Sequence, residues 1–104
     1  MLTLELDKQT ESRFTKLLKL HDNNYALIIN SMIDYRINEL KKGIRNIELD
    51  FLAYERKYKI KTSDFYEKYE NGKFGEESHN NDFMIWSGEY ESYSEFQNEL
   101  NQLL

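Results

Sequence analysis

The chain begins with a short segment in which apolar and polar residues alternate. Leu2, Leu4 and Leu6 share one face, while Thr3 and Glu5 share the other. A period of two is typical of a half-buried β-strand, and no other segment alternates in this way. A lone strand needs a partner, so we predict that residues 2–6 pair with a second copy of themselves as a two-stranded ribbon. The alternative is an N-terminus without a strand, whose leucines fold onto a helix.

A short helix is predicted next, over about residues 10–20, with Asp7 or Thr10 as its N-cap. The polar residues 21–24 interrupt the pattern and are expected to end this helix and to cap the next one. The apolar positions of the short helix follow the spacing i, i+3 and i+4: Phe14, Leu17 and Leu18.

A much longer helix is predicted over residues 24–58. Its apolar positions recur in alternating steps of four and three residues: Ile33, Ile37, Leu40, Ile44, Ile47, Phe51, Tyr54 and Tyr58. Gly43 lies in the middle and weakens the helix by about 1 kcal/mol relative to alanine, so a break or kink there is one alternative. A helix of roughly 50 Å must lie against a second copy, the C-terminal segment or another protein.

The remainder is predicted to hold two more helices. Asp64 and Glu67 resemble a capping box for a short helix over residues 65–70. Residues 73–82 are polar and turn-rich, which favours a mobile loop. An amphipathic helix follows from Asp82, with an aromatic stripe that ends in leucines. The predicted fold class is therefore mainly α: a ribbon-helix-helix-like N-terminus, a long central helix and a C-terminal amphipathic helix.

Charge divides the 104-residue chain unevenly. Residues 1–62 carry 12 Lys and Arg against 9 Asp and Glu, a balance of +3; residues 63–104 carry 2 against 10, a balance of −8. The second part also holds nine of the fifteen aromatic residues. We predict a dimerisation module over 1–42, a helical extension over 43–62 and an acidic, aromatic-rich binding segment over 63–104.

The chemistry of most enzymes is missing from this sequence. There is no cysteine, and His21 and His79 stand alone among polar residues without metal-ligand spacing. No glycine-rich phosphate loop occurs, and nothing distinguishes one pair of carboxylates as an acid and base. We expect no enzyme activity, no cofactor and no metal. We also expect a cytoplasmic protein without a membrane partner, since no apolar run approaches the ~18 residues of a span.

The order of the N-terminal elements resembles that of ribbon-helix-helix proteins. The residues that carry the likeness are the Leu-Thr-Leu-Glu-Leu start, Phe14-x-x-Leu17-Leu18, and the run from Asn23 to Asn30. The later part of the chain resembles small prokaryotic antitoxins, in Tyr54-Glu55-Arg56-Lys57-Tyr58, in Phe65-Tyr66-Glu67-Lys68-Tyr69 with Gly72 and Gly75, and in Asp82-Phe83-x-x-Trp86. The resemblance implies an antitoxin of a type II toxin–antitoxin system, with an N-terminal dimerisation module and a C-terminal toxin-binding segment.

From these observations we expect three groups of functional residues. The toxin-binding group comprises Phe74, Phe83, Trp86, Glu89, Tyr90, Glu91, Tyr93 and Phe96. The dimerisation group comprises Leu2, Leu4, Leu6, Phe14, Ile29 and Ile33. Thr3 and Glu5 are the residues that would face DNA. The alternative for the aromatic residues is that they pack against Phe51, Tyr54 and Tyr58 within the protein.

The leading hypothesis is an antitoxin that neutralises an RNA-cleaving or nucleotide-handling toxin through its C-terminal helix. Acidic charge steers a basic partner, and aromatic rings fill its pockets. The alternative is a ribbon-helix-helix transcriptional regulator that binds operator DNA. Glu5 opposes the approach of phosphates, so we expect the ribbon to bind DNA weakly or not at all. A third interpretation is a helical dimerisation protein with neither role.

Overall fold

The computed structural model describes residues 1–104 as a mainly helical protein, which confirms the predicted fold class at that level. Its chain divides into two compact units, Met1–Tyr35 (the N-terminal unit) and Arg36–Leu104 (the C-terminal unit). The four α-helices are Lys8–Leu20 (α1), Tyr25–Tyr58 (α2), Thr62–Glu70 (α3) and Asn81–Leu103 (α4), with a 3-10 helix over Gly75–His79.

The predicted strand over residues 2–6 is not seen. Residues 1–7 have no regular secondary structure, and Leu2, Leu4 and Leu6 are exposed. The physical reason is that a strand gains its hydrogen bonds from a neighbouring strand, and no other strand exists in this chain. Helix α1 begins at Lys8 because the Asp7 carboxylate accepts a hydrogen bond from the Thr10 amide at 2.7 Å.

The predicted boundary between the first two helices is confirmed. Asp22 and Asn23 both have φ near +56°, a left-handed conformation that these two residue types tolerate better than most. The Asn24 side chain then accepts a hydrogen bond from the Leu27 amide at 3.1 Å, which caps the start of α2. The N-terminal unit buries only two apolar side chains, Leu18 and Ile28.

In the C-terminal unit, the apolar seam of α2 lies against α4. Leu40 and Ile44 pack with Leu100 near the end of α4, whereas the Tyr58 ring contacts Phe83 near its beginning. The two helices are therefore antiparallel. Of the three partners that the long seam allowed, the C-terminal segment of the same chain is the one observed here.

Helix α2 continues through Gly43 without a break. A Cβ atom at this position would lie 3.0 Å from Cε2 of Phe96 on α4, closer than ordinary van der Waals contact. The glycine therefore serves close packing between α2 and α4, and the alternative of a break in the helix is not observed.

Helix α3 begins earlier than predicted and by a different cap. It starts at Thr62, and its N-cap Lys61 makes no side-chain hydrogen bond. The Glu55 carboxylate, seven residues upstream on α2, accepts hydrogen bonds from both the Thr62 amide and the Thr62 hydroxyl at 2.8 Å. A long-range acceptor thus takes the place of the local capping box that Asp64 and Glu67 suggested.

The polar segment before α4 contains the 3-10 helix and two glycines in left-handed conformations, Gly72 at φ +67° and Gly75 at φ +57°. Asn80 rather than Asp82 caps α4, since its side chain accepts a hydrogen bond from the Asp82 amide at 2.8 Å. The Asp82 carboxylate instead accepts hydrogen bonds from Lys57 at 2.7 Å and from the Tyr58 hydroxyl at 2.6 Å. These contacts attach the start of α4 to the end of α2.

Candidate interaction surfaces

Two of the rings predicted to bind a toxin fill the interior of the C-terminal unit. Trp86 is completely buried, and Phe83 is 5% exposed. They share one apolar cluster with Ile47, Phe51 and Phe65. In this fold neither ring is available to a partner, because residues in the last turns of α2 and the short helix α3 cover them.

The indole of Trp86 is held by stacking and by a hydrogen-bonded relay. Its ring lies parallel to Phe65 at 3.8 Å between centroids. The indole Nε1–H donates to the Thr62 hydroxyl at 3.1 Å, and that hydroxyl donates to Glu55 at 2.8 Å. Each buried polar atom of this relay therefore has a partner, which is the requirement for placing an indole N–H in a core.

The other predicted rings are half-buried and have partners within the chain. Tyr93 meets Phe51 edge-on at 5.4 Å, and Tyr90 stacks on Tyr66 at 4.4 Å. Phe74 packs against the central cluster, and Phe96 contacts both clusters of the C-terminal unit. The arrangement named as the alternative, in which these rings pack on α2, is the one observed.

The two predicted acidic contact residues have different surroundings. Glu91 is exposed and accepts a hydrogen bond from the Tyr66 hydroxyl at 3.0 Å. Glu89 is half-buried, and its Oε2 atom is buried without a hydrogen-bond partner. Burial, together with the neighbouring Asp50 carboxyl, raises the pKa of Glu89 to about 7. Glu89 therefore belongs to a titrating contact between α2 and α4.

The N-terminal unit carries an open apolar groove of about 490 Å³ between α1 and the first turns of α2. Leu17 and Met32 line it and are 40% and 56% exposed. Leu27, Ile28 and Tyr35 complete most of the lining. The sequence pattern did not predict this groove, although the apolar residues on both helices were a signal for it.

The residues predicted for dimerisation are left largely uncovered within one chain. Leu2 and Leu4 are 75% and 56% exposed, and Leu6 and Ile33 are exposed to smaller extents. Phe14 and Ile29 are half-buried. The residues predicted to face DNA, Thr3 and Glu5, are both exposed. A dimer interface formed by these side chains stays a prediction.

Three further properties bear on function. No group of three or more His, Cys, Asp or Glu side chains is placed to hold a metal ion. None of the helices combines the length and the apolar character needed to cross a membrane. Arg36 of α2 makes a two-pronged ion pair with Glu99 of α4, which lowers the pKa of the Glu99 carboxyl.

No protein family matches this chain, and comparisons with curated proteins and with solved structures found no similar protein.

Proposed function

We propose that this chain is a homodimeric protein-binding protein that acts as an antitoxin. Its N-terminal unit joins two copies, and its C-terminal unit, whose residues 63–104 carry a balance of −8, holds a basic toxin. The proposal rests on exposed apolar surface in the first unit, on acidic charge in the second, and on the resemblance of the sequence to small antitoxins.

The observation that carries the proposal is the uncovered apolar surface of the N-terminal unit. In one chain this unit buries only two large apolar side chains, Leu18 and Ile28, and leaves most of its others uncovered. Eight of its large apolar side chains are between 37% and 75% exposed, which leaves them for an interface with a second copy. These side chains are Leu2, Leu4, Leu6, Leu17, Leu27, Met32, Ile33 and Tyr35.

A second copy also supplies what residues 1–7 lack. Their backbone groups have no strand to pair with in one chain, and pairing across a two-fold axis provides one. The same pairing turns the leucine face, Leu2, Leu4 and Leu6, toward the helices and leaves Thr3 and Glu5 outside. Because residues 1–7 contain no Lys or Arg, such a ribbon has little attraction for phosphates, which favours protein binding over operator binding.

The toxin contact is assigned to the outer surface of the C-terminal unit. The rings Phe83 and Trp86 are interior, so they build this surface rather than form the contact. Residues 63–104 carry 2 basic and 10 acidic side chains, which favours a basic partner. Met84 and Ile85, 54% and 51% exposed, add apolar area on α4.

Self-association is tested by sedimentation equilibrium of the full chain at several concentrations. We expect a dimer, and we expect the double variant Leu27→Ser/Met32→Ser to be monomeric. Both side chains are exposed in one chain, so this variant keeps its fold. Ile85→Ser, at an exposed apolar position in the C-terminal unit, is the matched control and should remain dimeric. A wild-type chain that is monomeric at all concentrations contradicts the proposal.

The antitoxin role is tested by co-expression with the product of the adjacent reading frame. Removing the C-terminal helix is uninformative, since loss of Trp86 would unfold the unit. Charge reversal on its surface, Glu95→Lys together with Glu91→Lys, should abolish rescue of growth, whereas Glu11→Lys in the N-terminal unit should not. A neighbouring product that is harmless when expressed alone refutes the role.

A further inference from the structure

A second groove, of about 350 Å³, lies between α2 and α4 in the C-terminal unit. Its aromatic lining is Phe51, Tyr90 and Tyr93. Both tyrosines are half-buried, line the groove and also contact another ring of the unit, Tyr90 with Tyr66 and Tyr93 with Phe51. The floor is thus formed by rings that the packing of the unit already holds in place.

Carboxylates stand at both ends of this aromatic floor. Glu48 and Glu55 line the groove and are seven residues apart on α2, so they lie on one helix face about 10 Å apart. Phe51 and Leu52 lie between them at the same face, and Leu52 is 48% exposed. Along the groove, an apolar surface therefore lies between two negative charges, those of Glu48 and Glu55.

Neither carboxylate is neutralised within the chain. The ion pairs of the protein join Arg36 to Glu39 and Glu99, and Lys57 to Asp82. No basic residue lines the groove. Glu55 uses only its Oε2 atom to accept the hydrogen bonds from Thr62, which leaves its second oxygen for another donor.

This combination selects a cationic ligand with an apolar stem. An arginine side chain lays its methylenes on rings and leucine, places its guanidinium over a tyrosine face, and donates to carboxylates. A nucleotide or nucleic acid brings phosphates, which two uncompensated carboxylates repel. The volume is at the low end for a ligand site and suits one long side chain.

We infer that the groove between Glu48 and Glu55 receives an arginine side chain projecting from a basic partner protein. The inference deepens the proposed function, since it names the chemistry by which a toxin is recognised. Only the identification of the partner as a toxin rests on the proposed function. The groove itself is formed by residues of one chain, so the binding of arginine does not depend on that function.

The test uses the peptide acetyl-Gly-Arg-Gly-amide as the probe, titrated into the full-length, ¹⁵N-labelled protein. Amide resonances around Glu48, Leu52 and Tyr93 should shift together, with a dissociation constant in the millimolar range. The same peptide with citrulline, a neutral isostere of arginine, should produce no such shifts. Added salt should weaken the binding of the arginine peptide.

Substitutions locate the site. Glu48 is exposed, so Glu48→Gln folds, and it should raise the dissociation constant about three- to fivefold, as expected for one partly exposed charge contact. Glu48→Lys should abolish binding. Glu76→Gln, at an exposed position on the 3-10 helix, is the matched control and should bind as the wild type does.

The inference would be overturned if the resonance shifts spread over the whole acidic surface. It would also be overturned if Glu48→Gln and Glu76→Gln reduced the shifts equally. Equal shifts with the citrulline peptide would do the same. Since the titration requires neither a dimer nor a toxin, its failure is distinguishable from failure of the proposed function, which the sedimentation and co-expression experiments report.

Discussion

The contact between Glu89 and Asp50 predicts that the protein loses stability as the pH rises through neutrality. Burial of the Glu89 carboxyl and the adjacent Asp50 raise its pKa from the ordinary 4.5 to about 7 in the folded protein. The folded state therefore binds a proton that the unfolded state releases. The contribution of this group to stability is complete below about pH 4.5 and is lost as the pH rises through about 7.

The magnitude follows from the size of the shift. At 1.36 kcal/mol for each pKa unit, the unscreened upper limit is about 3 kcal/mol. Glu89 is only half-buried, so solvent screening reduces the expected loss to roughly 1–2 kcal/mol between pH 5 and pH 8. The substitution Glu89→Gln resembles the protonated acid at every pH, so the variant should lack this loss and exceed the wild type in stability at pH 8.

The assay is urea unfolding at several pH values between 5 and 8, followed by circular dichroism and by the fluorescence of Trp86. Protein concentration is held constant, since self-association adds to stability. Titrating groups that do not contact Glu89 act alike in wild type and variant, so the difference between the two curves isolates the contact of Glu89 with Asp50. Glu95→Gln, at an exposed position on the same helix, is the control and should follow the wild type. If wild type and Glu89→Gln lose stability in parallel as the pH rises, Glu89 is not the titrating group.

Three other substitutions test the packing of the C-terminal unit, each measured by urea unfolding. Trp86→Ala should lower the free energy of unfolding by about 3–5 kcal/mol, and a loss below 1 kcal/mol would place the ring outside the core. Thr62→Val keeps the volume but leaves the indole N–H without an acceptor, at an expected cost of about 1–3 kcal/mol; an unchanged midpoint would contradict the relay. Gly43→Ala gains about 1 kcal/mol of helix propensity, but its Cβ collides with Phe96, so the variant should be less stable than the wild type by about 1 kcal/mol. In a Phe96→Leu background this collision is absent, so Gly43→Ala should raise the free energy of unfolding there. The same sign in both backgrounds would show that the close contact is unimportant.

Local signals were sufficient to predict the four helices and the boundary between α1 and α2, but not the caps of α3 and α4. The heptad-like spacing from Ile37 to Tyr58 predicted which face of α2 is apolar, and that face is the one covered. Asp7 and the polar residues 21–24 act within a few residues of themselves, so their roles as caps and helix ends could be predicted from their neighbours alone. These features depend on the helical period of apolar residues and on capping residues close in sequence, both of which can be read from the order of residues.

The partners of those faces could not be predicted in the same way. The composition of the aromatic stripe of α4 is typical of a binding surface and equally typical of a core. Only the antiparallel packing of α4 on α2 shows that Trp86 belongs to the core. Glu55 caps α3 from another helix, and Gly43 is needed because Phe96 lies across it. Neither relation has a signal in the local sequence.

Residue order was enough to predict a helical protein with an acidic, aromatic-rich second part, since hydrophobic period and charge are properties of that order. The tertiary structure decided which apolar surfaces are satisfied within one chain. It buries Phe83 and Trp86 in the C-terminal unit and leaves most of the leucines of the N-terminal unit exposed. The reason is that the burial of a side chain depends on which distant segment packs against it. The free energy of that packing comes from many contacts together and is not encoded at any one position.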